Sequence, residues 1–83
     1  MVVMMAIVTR FLGQTKVQRA RVKASCEAGS VVILWEVDVD AETNHRLARE
    51  ALVKKLNWAV GTWVTGFLSN GSQVHVRVIG DRL

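Results

Sequence analysis

The chain of 83 residues has no proline, a single cysteine and no apolar run long enough to cross a bilayer. Each absence excludes something. Cys26 alone cannot close an internal disulfide, which points to a reducing compartment, the cytoplasm. The longest apolar run, Met1 to Val8, is far short of the ~20 residues that a membrane helix needs. It also lacks the basic flank and cleavage site of a secretory signal. Met4 and Met5 follow Met1 so closely that either also reads as a start. With no low-complexity tract and a hydrophobic fraction of 51%, the composition excludes disorder. A chain of this length makes one domain, residues 1–83, around one core.

Charge of one sign is missing from two segments. Residues 10 to 23 hold five bases (Arg10, Lys16, Arg19, Arg21, Lys23) and no acid. Residues 36 to 42 hold four acids (Glu36, Asp38, Asp40, Glu42) and no base. The net charge of +4 permits attraction to nucleic acid or to anionic surfaces without establishing it.

Hydrophobic periodicity predicts β-β-β-α-β-β, an α+β fold in which one helix packs on one face of an antiparallel sheet. Ala6 to Leu12 reads as a strand closed by Gly13, and residues 13–20 as a polar loop. Arg21 to Cys26 alternates, with Val22, Ala24 and Cys26 on one side. Val31 to Val39 reads as the strongest strand, with Ile33, Trp35 and Val37 inward. From Ala41 to Asn57 the period becomes helical, with Leu47, Ala48, Ala51, Leu52 and Leu56 on the apolar stripe. Asp40 suits the N-cap, Glu42 the first turn and Lys54 and Lys55 the last, as the helix dipole favours. Asn57 or Gly61 ends the helix. Asn70-Gly71 is a hairpin signal, because a two-residue type I′ loop needs positive φ at both positions.

These turns also predict registers. A two-residue Asn70-Gly71 loop sets Phe67 opposite Val74, Thr65 opposite Val76 and Trp63 opposite Val78, all facing the helix. Val64, Leu68, His75 and Arg77 then face away. A two-residue Ala28-Gly29 loop sets Ala24 opposite Ile33 and Arg21 opposite Glu36, with Arg19 opposite Asp38. On that reading the sorted charges pair across two strands.

Candidate sites follow from what is left over. Lys16, Arg19, Arg21 and Lys23 suit phosphate contacts and make weak nucleic-acid binding the first functional reading. Trp35 and Trp63 fall on core faces, so a base-stacking platform is poorly supplied. Val32, Leu34, Val64 and Leu68, with His75 and Arg77 around them, form an outward patch that suits a homodimer or a host-protein interface. That is the alternative reading, from another class. Asp38-x-Asp40-x-Glu42 opens like a calcium loop but has Thr43 where such a loop needs glycine and Arg49 where it needs glutamate. His45, His75 and Cys26 show no zinc spacing. His45 is expected on the polar side of the first helical turn, and Cys26 in the core. No metal, cofactor, small-molecule substrate or membrane association is expected. No nucleophile elbow, phosphate loop or carboxylate pair appears, so the chain reads as a binding module rather than an enzyme.

The stretches IVTRFLGQTKVQRARVKAS (Ile7 to Ser25) and NHRLAREALVKKLNW (Asn44 to Trp58), with the terminal Gly-Ser hairpin, resemble small uncharacterised bacterial proteins carried on plasmids, prophages and other mobile elements. The resemblance spans most of the chain, although the MVVMMA start departs from it. It implies an accessory or cargo gene and brings no activity or site residue with it.

Overall fold

The computed structural model describes residues 4–58 and 61–78. Its elements are β1 (Met4–Leu12), β2 (Arg21–Cys26), β3 (Gly29–Leu34), α1 (Ala41–Lys55), β4 (Thr62–Phe67) and β5 (Gln73–Val78). Their order is the one that the periodicity predicts. The strands form one antiparallel sheet in the order β3-β2-β1-β5-β4, so the first strand lies at the centre and pairs with the last. The fold is α+β.

α1 packs over β1, β2 and β3. Ala48 and Leu52 from the helix meet Ile7, Val22 and Ala24 from the sheet, and Cys26, Ile33, Trp35 and Leu56 pack around them. Removing a side chain of this kind from water stabilises by roughly 1.5–3 kcal/mol. The helix is closed at both ends by its own sequence. Asp40 Oδ1 accepts from the Thr43 amide at 2.8 Å, and hydrogen bonding from Thr43, its side chain first and then this amide, holds the Asp40 carboxyl below its ordinary pKa. At the other end Asn57 takes φ 58°. The Asn57 amide donates to Lys54 and the Trp58 amide to Val53, a Schellman arrangement that satisfies the last carbonyls.

Both hairpin registers differ from those expected. In the first, the loop is Glu27-Ala28, and Cys26 pairs with Gly29, Val22 with Ile33 and Arg21 with Leu34. The shift is two residues, so the inward faces survive. The charge pairing does not. Lys23 lies opposite Val32 and Arg21 opposite Leu34, while Glu36 and Asp38 sit on the segment beyond β3. The strand expected to reach Val39 ends at Leu34, and Val37, expected in the core, is 86% exposed. Asn44 is the physical reason. Its side-chain oxygen accepts from the Glu36 amide at 2.7 Å and its nitrogen donates to the Glu36 carbonyl at 2.9 Å. One buried amide thus takes over the backbone pairing that a neighbouring strand would have offered and turns the chain into the helix cap.

In the second hairpin the loop is three residues, Ser69-Asn70-Gly71. The Gly71 amide donates to the Leu68 carbonyl and the Leu68 amide to the Ser72 carbonyl, with Gly71 at φ 89° as the bulge residue. Phe67 therefore pairs with Gln73, Thr65 with His75 and Trp63 with Arg77. A one-residue slip reverses a whole strand. Gln73, His75 and Arg77 turn toward the helix side, while Val74 and Val76, expected in the core, turn outward. Phe67, also expected there, is 70% exposed because α1 does not extend over the β4 edge. The side chain of Val78 lies outside the described residues. Since Gly71 needs positive φ, Gly71→Ala should lower stability by about 1 kcal/mol in chemical denaturation; an unchanged midpoint would contradict this account of the turn.

Candidate functional site

Among the described residues the outward face of the sheet carries no helix, and the five strands contain no Asp or Glu at any position. Their cations are Arg10, Arg21, Lys23 and Arg77. Three of these converge at one corner, because Arg10 on β1 pairs directly with Lys23 on β2 and Leu12 pairs with Arg21. Like charges directly across a ladder repel, so this corner is an electrostatic cost to the folded chain. Loop 13–20 adds Lys16 and Arg19, both exposed. Thr15 shapes that loop: its hydroxyl accepts from the Val17 and Gln18 amides, and its own amide donates to the Gln18 carbonyl. Arg21 Nε donates to the Arg19 carbonyl at 3.2 Å, which ties the loop to the strand. The four bases singled out in the sequence thus lie together, and Arg10 joins them.

The expected outward patch is divided. Val32, Leu34, Val64 and Leu68 are exposed, the first three on the outward face and Leu68 just past β4. His75 and Arg77 are not part of it, since the register of β5 puts them on the inner side. His75 is 1% exposed.

The inner side holds a polar chain that sequence reasoning did not anticipate. Thr9 Oγ1 lies 2.7 Å from His45 Nδ1 and 2.9 Å from His75 Nε2. His75 Nδ1 lies 3.0 Å from Thr65 Oγ1. Each link needs one proton, and two neutral imidazoles supply the pattern in either direction. His45 is buried rather than on the polar side of the helix, edge-on to Trp35, which in turn meets Phe11 edge-on. Burial holds His45 below its ordinary pKa. Burial first, then the charges of Arg49 and His45, pushes His75 down to about 4. One signal for this chain was present: Thr9 alternates with Ile7 and Phe11, which puts a hydroxyl on the inner face of β1. His75 was hidden by the misjudged hairpin register.

Beside this chain, α1 stops short of the β4 edge. Arg49 lies over Trp63, with Cζ 5.2 Å from the ring centroid, and burial lowers its pKa while Glu50 opposes that shift. A cleft of about 460 Å³ runs between the end of α1 and Trp63, with Trp58 and Lys54 on its walls. Among the described residues no three His, Cys, Asp or Glu side chains come together as a metal site. Nor, among the described residues, is any helix long and apolar enough to cross a membrane.

No family model, curated protein or solved structure matches the chain.

Proposed function

We propose that the protein is a nucleic-acid-binding module that grips the phosphate backbone with Arg10, Lys16, Arg19, Arg21 and Lys23. The observation that carries this reading is the Arg10–Lys23 pair. Two cations face each other across the ladder in strands without an acid, and a phosphate seated over them converts repulsion into attraction. The contacts are of the positioning kind, not the base-reading kind. Trp35, Phe11 and Trp63 belong to the helix side of the sheet, so no aromatic platform accompanies the cations. Binding therefore depends little on sequence and favours a regular backbone over unstacked bases. Cytoplasm, or any reducing space with nucleic acid, suits this partner and the free Cys26 thiol. An accessory gene of a mobile element is a fitting context for such a protein. A binding role rather than an enzymatic one is supported by Thr9. It is the hydroxyl that two histidines flank, and it is fully buried, out of reach of a substrate.

The test is fluorescence anisotropy with duplex DNA, single-stranded DNA and RNA at two salt concentrations. Affinity for duplex should fall steeply with salt, with a logarithmic slope of about −4 for four to five neutralised phosphates. Lys23→Glu should weaken binding and flatten the slope. The same change turns a like-charge pair into an opposite pair, so it should also raise stability by roughly 0.2–1 kcal/mol. No binding to any of the three at low salt, or unaltered binding by Lys23→Glu, rejects the proposal.

The exposed aliphatic side chains favour a second reading. Val32, Leu34 and Val64 are exposed on the outward face, beside the half-buried Val74 and Val76, and suit a homodimer or a host-protein contact. Apolar association persists in salt, so a dimer by light scattering that survives high salt marks this reading and a monomeric mass excludes the homodimer.

A further inference from the structure

On the face of the sheet opposite the cationic corner, a pocket of about 250 Å³ opens between the first turns of α1 and the inner side of β4 and β5. Gln73, His75 and Thr65 line it from the sheet, and Arg46, Arg49 and Glu42 from the helix. Two of these groups are left wanting. Gln73 is only 3% exposed, yet its side-chain oxygen has no hydrogen-bond partner. The Arg49 side chain is 13% exposed, its Nε has no partner, and its Nη2 reaches Glu50 at 3.5 Å, an ion pair longer than a usual charge-assisted hydrogen bond. A buried acceptor without a donor, and a largely buried cation whose one ion pair is long and whose Nε is unpaired, both cost the empty fold stability. His75 cannot answer either need, because Thr9 and Thr65 occupy its two nitrogens.

We infer that this pocket binds a small oxyanion that carries a hydrogen-bond donor beside its charge. The anionic oxygens meet the Arg49 and Arg46 guanidinium forks, which suit carboxylate and phosphate geometry. The adjacent O–H donates to the Gln73 oxygen. The volume sits at the lower end of small-molecule sites, so the ligand is no larger than a few heavy atoms around the charge. Two sources share this chemistry: free hydrogen phosphate and a 2-hydroxycarboxylate. Sulfate and acetate have the charge but no proton to give.

The experiment is an NMR titration of the full chain with four probes at matched ionic strength: inorganic phosphate, sulfate, glycolate and acetate. The Gln73 side-chain amide and the Arg49 Nε–H resonances should move and saturate with phosphate or with glycolate, and whichever does so identifies the source. The donor-free partner of that probe should bind about tenfold more weakly, since it leaves the Gln73 oxygen unpaired. Gln73→Met keeps the length of the side chain and removes the acceptor, so it should erase that preference while the remaining resonances keep their positions. Equal binding of sulfate and phosphate together with equal binding of acetate and glycolate overturns the inference in the unmodified protein, whatever the variant does. So do shifts confined to Arg10, Lys16 and Lys23, or no saturable shift up to tens of millimolar. That last pattern leaves the phosphate-backbone reading of the outer face standing, so the two proposals fail separately.

Discussion

Replacing Asn44 by leucine should lower the unfolding free energy by about 3 kcal/mol, the cost of stranding several polar groups for one lost side chain. Asn44 is fully buried. Its oxygen accepts the Glu36 amide, and its nitrogen reaches the carbonyls of Glu36 and Asp40 at 2.9 and 3.1 Å and that of Val39 at 3.4 Å. Leucine nearly fills the volume, so packing is kept and the loss is polar. A domain of this size has a total stability of roughly 4–12 kcal/mol at ordinary values per residue, so this single change removes a large part of it. The melting temperature should drop by roughly 12–24 °C. Hydrogen exchange should locate the damage, with the Glu36 amide losing protection together with the first turn of α1. Asn44→Asp keeps the acceptor but sets a negative charge against the carbonyls, and should be no better tolerated at neutral pH. A leucine variant within about 0.5 kcal/mol of the parent would mean that water replaces the amide at no cost and that the loop is not held by it.

Acid should destabilise the fold through His75. Its pKa is about 4 in the folded chain against 6.5 ordinarily, so the unfolded state binds the proton more readily between those values. Stability is therefore full above pH 6.5 and falls as the pH drops toward about 4, below which the loss is complete. The direction follows from linkage, because the state with more bound protons gains as pH falls. The size is on the order of 3 kcal/mol for a shift of that extent. His45, also held below its ordinary pKa by burial, adds to the effect in the same direction. Both rings meet at Thr9, and Arg49 is the cation that acts on His75. Urea unfolding at a series of pH values measures the slope, and an NMR titration of the His75 ring measures its midpoint. A ring that titrates near its ordinary value, or stability that is level from neutrality to mild acid, would refute this.

The order and kind of the elements could be read from the chain, because each announces itself locally. Period-two strands, a capped period-3.6 helix and glycine turns leave few alternatives. The registers could not, and the two failures have different causes. Asn70-Gly71 serves a two-residue loop and a three-residue bulged loop alike, since glycine supplies the positive φ in both. Alternation in QVHVRV then favours the wrong choice. It assigns Val74 and Val76 to a core, whereas the helix covers only the β1–β2–β3 half of the sheet and leaves the inner positions of β5 to His75, Gln73 and Arg77. The strand expected to run on to Val39 ends early because Asn44, eight residues along, outcompetes further pairing at Glu36, which no local pattern reveals. The bases at Arg10, Lys16, Arg19, Arg21 and Lys23 were visible as a cluster. Their lack of acidic partners became visible only once the first hairpin showed Leu34 opposite Arg21, where Glu36 had been expected.

The place of β1 at the centre of the sheet has a kinetic consequence. The two hairpins, β2–β3 and β4–β5, close over short loops and can form on their own. The ladder that joins them sets Met4 against Val78 and Thr9 against Gln73, and so closes nearly the whole chain at once. Loop-closure entropy makes contacts of such separation late and rate-limiting. The histidine chain through Thr9 spans this same seam, so it exists only after the final strand has docked. During synthesis β1 emerges before β5, and until β5 follows, one of its backbone edges stays open. That interval is when the chain is most exposed to aggregation, and the bases at Arg10 and Lys23 then keep like copies apart.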